Sequence, residues 1–217
     1  MEIIFLDSVE STHTYLKEHI KSNGYTHPLA IVTQEQTNGL GSRNNNWEGK
    51  NGNLFFSFVI DTTLLPNDLP MQSASIYFSY ILKNILYKLG SKVWLKWPND
   101  FYIDQKKIGG TITNYSNNLY YCGIGLNLKK INSDFGYLDI NVDIKTLLND
   151  YLKVVLEKNQ WKQIFSKYTI EFEYSKQYTT TIENKKVSLQ DAILNEDGSI
   201  CIENKKVFSL RWLKLLL

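Results

Sequence analysis

Trp94-Leu-Lys-Trp-Pro-Asn-Asp-Phe-Tyr-Ile-Asp-Gln-Lys-Lys-Ile-Gly-Gly110 is the stretch from which the fold of this 217-residue chain can be read. Val93, Trp94 and Leu95 favour a strand. Pro98 fixes its own φ and holds Trp97 extended, so the strand is expected to end there. Asn99 and Asp100 are turn residues with short polar arms. Phe101-Tyr102-Ile103 then reads as a second strand, Asp104-Gln105 as a tight turn, and Lys106-Lys107-Ile108 as a returning strand. Gly109-Gly110 lets backbone come close to something else. This folding-back gathers Lys96, Asp100 and Lys107 near one end of a small sheet. Taken singly, each is a solvated charge on a meander; taken in this order, the set points to a site.

Upstream, Glu2 to Leu6 reads as a strand. Ser11-Thr12-His13 then opens an amphipathic helix that Ser11 or Thr12 caps, with Tyr15, Leu16, His19 and Ile20 on one face. Leu29 to Thr33 is a strand. Gln34 to Trp47 reads as a long polar loop, and a loop of that length is often a lid. Asn53 to Asp61 is a strongly apolar strand. Pro70 to Leu89 is a helix striped by Ala74, Phe78, Ile81 and Ile85 and closed by Gly90.

Downstream, Asn118 to Leu128 reads as a strand with Gly123 and Gly125 on the same face, two residues apart. Two such glycines weaken a strand unless something flat lies against it. Asp143 to Lys158 is a helix, and Asn159 is expected to cap another that carries Trp161, Ile164, Phe165 and Tyr168. From Tyr174 the texture changes to short β runs. Ile182-Glu-Asn-Lys-Lys-Val187 recurs as Ile202-Glu-Asn-Lys-Lys-Val207, each reading as strand, turn, strand. Two copies are too few for a solenoid. The apolar tail Leu210 to Leu217 is expected to pack back on the body.

Composition narrows the classes. A hydrophobic share of 43% supports a real core, and a formal charge of +2 is too small to suggest nucleic acid. Cys122 and Cys201 lie far apart without metal-ligand spacing, which suits a reducing cytoplasm and argues against a disulfide scaffold or a zinc site. The first residues show no signal peptide, and no stretch approaches the roughly 20 apolar residues of a membrane span. One catalytic domain with a small appendage is the natural size.

The Lys96-Trp-Pro-Asn-Asp100 element, followed by Lys107-Ile-Gly-Gly110, resembles the signature of biotin protein ligases. Three further segments match that family in order. Ser11-Thr12-His13 is similar to its Ser-Thr-Asn, with histidine in place of asparagine. Gln36, Gly39, Gly41 and Trp47 follow its glycine-arginine loop. Gly123-Ile-Gly125-Leu-Asn127 resembles its Gly-Ile-Gly-Ile-Asn. The loop departs from the pattern: Leu40 and Ser42 stand where arginines are common, Asn45 where a third is frequent, and Arg43 is the one that remains.

The resemblance implies an α+β fold with a mixed or antiparallel sheet, comprising a biotin/lipoate ligase-like catalytic domain over 1–173 and a small SH3-like β-barrel over 174–217. It implies an ATP-dependent enzyme that makes biotinyl-AMP and passes the biotin to a lysine of a biotin carboxyl carrier domain, that of acetyl-CoA carboxylase. Ser11, Thr12, His13, Gln36, Gly39, Leu40, Gly41, Ser42, Lys107, Gly110, Gly123 and Gly125 would bind biotin. Arg43, Trp47, Lys107 and Asn127 would serve ATP and phosphate, with Trp47 either shielding the site or anchoring the loop. Asn127 would also meet Mg²⁺.

The implied chemistry brings a carboxylate to a phosphate and so requires fixed positive charge. The family match assigns this to Lys107; its neighbour Lys106 points to the other strand face. Asp100 would orient the incoming amine or take its proton; an ordinary carboxylate is a poor base, which favours orientation and electrostatic stabilisation. Loss of arginines from the loop removes charge-assisted bonds to phosphate.

Lipoate ligation is the nearest enzymatic alternative, and the complete Lys-Trp-Pro-Asn-Asp favours biotin. A biotin-dependent repressor would need a helix-turn-helix ahead of Ser11, for which there is no room, so neither nucleic acid nor membrane is an expected partner. A binding protein without turnover is a third reading. The resemblance allows a homodimer.

Overall fold

The computed structural model describes residues 1–41, 46–49, 51–130, 135–183 and 185–208. Ser42, Arg43 and the tail Leu210 to Leu217 fall outside them. Among the described residues a seven-stranded sheet carries the architecture, with four α-helices packed on it. Its strands are β1 (Glu2–Phe5), β2 (Leu29–Thr33), β5 (Leu54–Asp61), β6 (Trp94–Lys96), β7 (Asp100–Ile103), β8 (Lys106–Ser116) and β9 (Leu119–Leu126). They lie in the order β1-β2-β5-β9-β8-β7-β6. The β1–β2 pair is parallel, and the other pairs are antiparallel. The fold is therefore mixed α+β, as the motif order leads one to expect.

Strand β5, third in that order, is apolar from Leu54 to Ile60 except for Ser57, and all seven of these residues are buried. Leu54, Phe56, Phe58 and Ile60 face the main core, where Phe58 meets Phe78 edge-on at 5.0 Å between ring centres. That core is closed by α2 (Ala74–Lys88), α3 (Ile144–Leu156) and α4 (Trp161–Ser175). On the opposite face α1 (Thr12–Asn23) seals Leu16 against Ile31, Val59 and Tyr121. Further along this second face no helix of the described residues covers the sheet, and Phe55 and Ser57 line a cavity there.

Two sequence expectations are corrected. The stretch from Gln34 to Trp47 is not an irregular loop: it contains β3 (Gln36–Leu40), which pairs antiparallel with β4 (Asn46–Gly49). Ladder bonds are made by backbone, so polar side chains do not prevent them. Glycines let the two strands close up: a Cβ on Gly49 would lie 2.1 Å from the Gln36 carbonyl oxygen. Asn159 does not cap α4. Its Nδ2 donates to the Val154 carbonyl at the end of α3, and the Asp68 carboxylate accepts from Trp161 N and Lys162 N at 3.0 Å each. The cap comes from 90-odd residues upstream, where no local pattern could reveal it.

The C-terminal strands form two small sheets of SH3-like character. One pairs β10 (Thr179–Ile182) with β11 (Lys185–Ser188). The other joins β12 (Ile193–Leu194), β13 (Ile200–Ile202) and β14 (Lys205–Val207). Both copies of the repeat are hairpins. In the second, Glu203 and Asn204 take positive φ of 49° and 60°, as a two-residue hairpin turn requires.

This region docks through the Asp197-Gly198 turn. The indole of Trp97 donates to the Gly198 carbonyl at 3.0 Å, that of Trp161 to Glu196 at 2.9 Å, and Ser73 Oγ to the Asp197 carbonyl. The Trp97–Pro98 peptide is cis.

Gly198 has φ +73°, and a Cβ there would sit 2.7 Å from Ser73 Oγ and 2.9 Å from Ile76 Cδ1. Gly90 has φ +100° with open space around it. Gly198→Ala is therefore expected to cost about 2–3 kcal/mol, from backbone strain plus the clash, and Gly90→Ala about 1 kcal/mol, from strain alone. Urea denaturation of the two variants checks this; equal losses would mean that the turn is not tightly docked.

Candidate active site

Sheet geometry decides which side chains reach the cavity. Asp100 pairs with Gly110 and Phe101 with Gly109, but Tyr102 pairs with Lys107, so β8 has one extra residue at Ile108. Such a bulge turns the following side chains by one position. Ile108 and Gly109 both pack on the core side, where a Cβ on Gly109 would sit 3.1 Å from the Phe101 ring. Lys107 is consequently thrown onto the face of Gly110, three residues away, which a regular strand would place opposite. A Cβ on Gly110 would lie 3.6 Å from Lys107 Nζ and 3.2 Å from Asp100 Oδ1.

Lys107 Nζ and Asp100 Oδ1 form an ion pair at 2.6 Å, each about a quarter exposed (27% and 25%). The ammonium also stands 5.6 Å from the centre of the Trp47 ring.

The turn carrying Asp100 is stitched down on both sides. Asn99 Nδ2 donates to the Thr111 carbonyl, and Thr111 N donates back to the Asn99 carbonyl at 3.1 Å. On the outer edge of β6, α4 supplies side-chain acceptors in place of a neighbouring strand: Glu171 accepts from Leu95 N at 3.1 Å and Ser175 Oγ from Trp97 N at 2.9 Å. Glu171 is itself buried and paired with Lys83.

The cavity measures about 200 Å³. Of the residues singled out from the sequence, it brings together Ser11, Thr12, His13, Gln36, Leu40, Gly41, Trp47, Asp100, Lys107, Gly110, Gly123 and Gly125.

Its inner end is sealed and polar. Thr12, His13 and Ser57 are at most 4% exposed. Gln36 Oε1 accepts from Thr12 N at 2.8 Å and from Thr12 Oγ1 at 3.1 Å, and Ser57 Oγ lies 2.9 Å from Thr12 Oγ1. His13 Nε2 is 2.5 Å from Asn114 Oδ1. Burial pushes the His13 pKa down to about 4, against the raising effect of Asn114 and with a small further lowering by Lys17, so the ring is neutral at pH 7. The outer end holds Lys107 and Asp100.

Two glycine assignments change in meaning. The space above Gly125 is taken by the indole of Trp47, 3.0 Å from where a Cβ would be, so this glycine seats a tryptophan. Gly123 leaves room between His13 Nδ1 and Ser57 Oγ, each 3.2 Å from its missing Cβ. Gly39 and Asn127 are not on the cavity wall. Gly39 faces Gln36 Nε2 and the Trp47 carbonyl across the hairpin, and Asn127 Nδ2 donates to the Gly136 carbonyl at 3.1 Å.

Sequence reading missed Ser57, Asn99, Asn114 and Thr111. Ser57 had a signal, being the one hydroxyl in the apolar run Leu54 to Ile60; Asn114 had none, because its role depends on a histidine 101 residues away.

Comparison with known proteins gives the chain its family. Residues 5–128 match the biotin/lipoate A/B protein ligase family. A solved structure of a biotin acetyl coenzyme A carboxylase synthetase from Helicobacter pylori with bound biotinylated ATP is 40% identical, with a TM-score of 0.90 over 95% of this chain and 99% of that one. Biotin–protein ligase 1 of Arabidopsis thaliana is 32% identical over 131 residues, 56% of this chain and 32% of that protein. The bifunctional ligase/repressor BirA of Bacillus spizizenii is 25% identical over 138 residues, 61% of this chain and 42% of that protein. The matches thus span less than half the length of these curated relatives. On the extent of the family match and the 40% identity to a whole solved chain, this chain belongs to the biotin/lipoate A/B protein ligase family.

Proposed function

We propose that this chain is an ATP-dependent biotin protein ligase. The observation that carries the reading is a single cavity with two unlike ends: a sealed polar pocket under α1, and an ammonium with its carboxylate at the mouth. Biotin would lie with its ureido ring inward and its carboxylate toward Lys107. A carboxylate oxygen then bonds to the α-phosphorus of ATP, the bond to the β-phosphate oxygen breaks, and pyrophosphate leaves. In the second step an acceptor lysine nitrogen bonds to the acyl carbon, the acyl–phosphate C–O bond breaks, AMP leaves and the amine loses a proton.

Lys107 supplies the fixed positive charge between two anions, held in place beforehand by Asp100 and by the Trp47 ring. The amine must be uncharged to attack, against an ordinary lysine pKa of about 10.4. Asp100, about a quarter exposed at the mouth, orients it.

Among the described residues no group of three or more His, Cys, Asp or Glu could hold a metal. Mg²⁺ keeps most of its water and binds phosphate oxygens, so it needs no such cage. Asn127 Oδ1 is buried without a partner among the described residues and is an oxygen of the right kind. Magnesium would arrive on the nucleotide and neutralise phosphate charge there.

The acceptor would be the biotin carboxyl carrier domain of acetyl-CoA carboxylase, and the place of action the cytoplasm, where the unpaired Cys122 and Cys201 are at home. No helix of the described residues is long and apolar enough to cross a membrane.

Lipoate is the second substrate to consider within the family. Its dithiolane ring brings no N–H and no carbonyl, so the buried polar atoms at the inner end would lose their water without gaining a partner. A site built this way rejects such a ligand strongly, by about 10⁴-fold in well-studied cases.

Lys107→Ala is expected to lower adenylate formation by at least about 100-fold while the fold persists, and Lys106→Ala to stay within about twofold. Pyrophosphate release with biotin and ATP, and with lipoate and ATP, measures this. Equal activity in Lys107→Ala and the unchanged protein would remove the assignment; turnover of lipoate in preference to biotin would overturn the substrate. Asp100→Asn should still accumulate biotinyl-AMP but slow its transfer by about tenfold or more. Single-turnover transfer from preformed adenylate at the normal rate would leave Asp100 as a turn residue only.

A further inference from the structure

The hydrogen-bond directions at the inner end of the cavity can be worked out atom by atom. Gln36 Oε1 receives a backbone N–H from Thr12, which has a proton to give and no other role, so that atom is the amide oxygen. Thr12 Oγ1 lies beside the same oxygen and must spend its only proton there. Ser57 Oγ, next in line, can then only donate to Thr12 Oγ1. Ser57 therefore has lone pairs and no proton left for the cavity.

His13 is arranged to the same end. Its Nε2 meets Asn114 Oδ1, an acceptor, at 2.5 Å, so Nε2 carries the proton of the neutral ring. Nδ1 is left as an acceptor. It is buried, has no partner among the described residues, and lies 3.2 Å from the missing Cβ of Gly123 on the cavity floor. A buried acceptor without a partner is costly, and a ligand that supplies a donor relieves the cost.

We propose that His13 is a specificity-determining residue of this site: its Nδ1 accepts a hydrogen bond from a ring N–H of the ureido group of biotin, in the tautomer that Asn114 imposes. This rests on the biotin ligase reading and adds to it a role for the residue at which this chain departs from the Ser-Thr-Asn pattern. Two proton-free acceptors, His13 Nδ1 and Ser57 Oγ, flank a floor without a side chain, so the matching ligand face carries N–H donors. A cyclic urea has two. Asn114 touches no ligand; it is the positioning residue that decides which imidazole nitrogen is bare.

The test uses the full chain labelled with ¹⁵N-histidine, with the His13 ring assigned through its own backbone. Long-range ¹H–¹⁵N correlation should show the Nε2–H tautomer in the free protein, and saturation with biotin should move the Nδ1 resonance in the direction of hydrogen-bond acceptance. A purely structural histidine would not respond. In calorimetry, His13→Phe should bind biotin about 10- to 100-fold more weakly, and His13→Asn, which retains an acceptor oxygen, should recover part of the loss. Of the two ureido N-methyl biotins, one should be rejected by the unchanged protein and lose that handicap in His13→Phe.

An Nδ1–H tautomer, or an Nδ1 resonance that stays in place when biotin is bound, overturns the assignment even if His13→Phe does not fold. A protein that binds no biotin at all overturns the ligase reading, and this inference falls with it.

Discussion

The site depends on how the exposed amides of the edge strand β6 are satisfied. An edge strand presents unpaired N–H groups, and among the described residues no eighth strand follows here. Helix α4 takes that place with two side chains one turn apart, Glu171 on Leu95 and Ser175 on Trp97. The Glu171 carboxylate is buried, so it needs a counter-charge, and Lys83 from α2 provides it. The register of β6 is thereby tied to the packing of two helices. The turn at Asn99-Asp100 follows β6, and its position sets where the carboxylate paired with Lys107 stands. The indole of Trp97 adds a bond to Gly198, so the C-terminal strands bear on the same turn.

From that anchored hairpin the reactive end is built by one irregularity. Without the bulge at Ile108, Lys107 would point into the helix-covered core, and an ammonium cannot be left there unpaired. With it, Lys107 stands beside Asp100 and against Trp47, and two apolar positions, Ile108 and Gly109, face the core in succession. Trp47 closes over Gly125 from the β3–β4 hairpin and so links the glycine-rich segment to the lysine. The hairpin is held to the site by an aromatic contact and by Gln36 on Thr12, independent of phosphate charge.

The opposite end works by direction rather than by charge. The relay Ser57 to Thr12 to Gln36, and the Asn114 bond to His13, consume the available protons and leave lone pairs facing the cavity. Dry surroundings make such polar atoms expensive to leave unpaired, which turns them into a filter for ligand donors. Both ends stand on the same sheet face, the one that α1 only partly covers.

Much of this was legible in the sequence, for local reasons. The strand formers Val93 to Leu95, the apolar run of β5, the turn residues around Pro98 and the Gly-x-Gly of β9 are short-range patterns, and they imply strands and their ends. The motif order also selected most of the cavity wall, from Ser11 to Gly125. What lay beyond local pattern depended on distant partners. Asp68 caps α4 in place of the adjacent Asn159, because a cap needs only an acceptor at the right point in space.

The polar segment after Thr33 became a hairpin because backbone pairs regardless of side-chain polarity. Lys107 rather than Lys106 enters the site because of a bulge that appears only when β7 and β8 are paired. The tautomer of His13 is set by Asn114, on a strand whose neighbourhood with α1 exists only in the folded sheet. Sequence determined which chemical groups were available and which segments carry them; tertiary structure decided their direction, because facing and proton placement are properties of pairs of residues far apart in the chain.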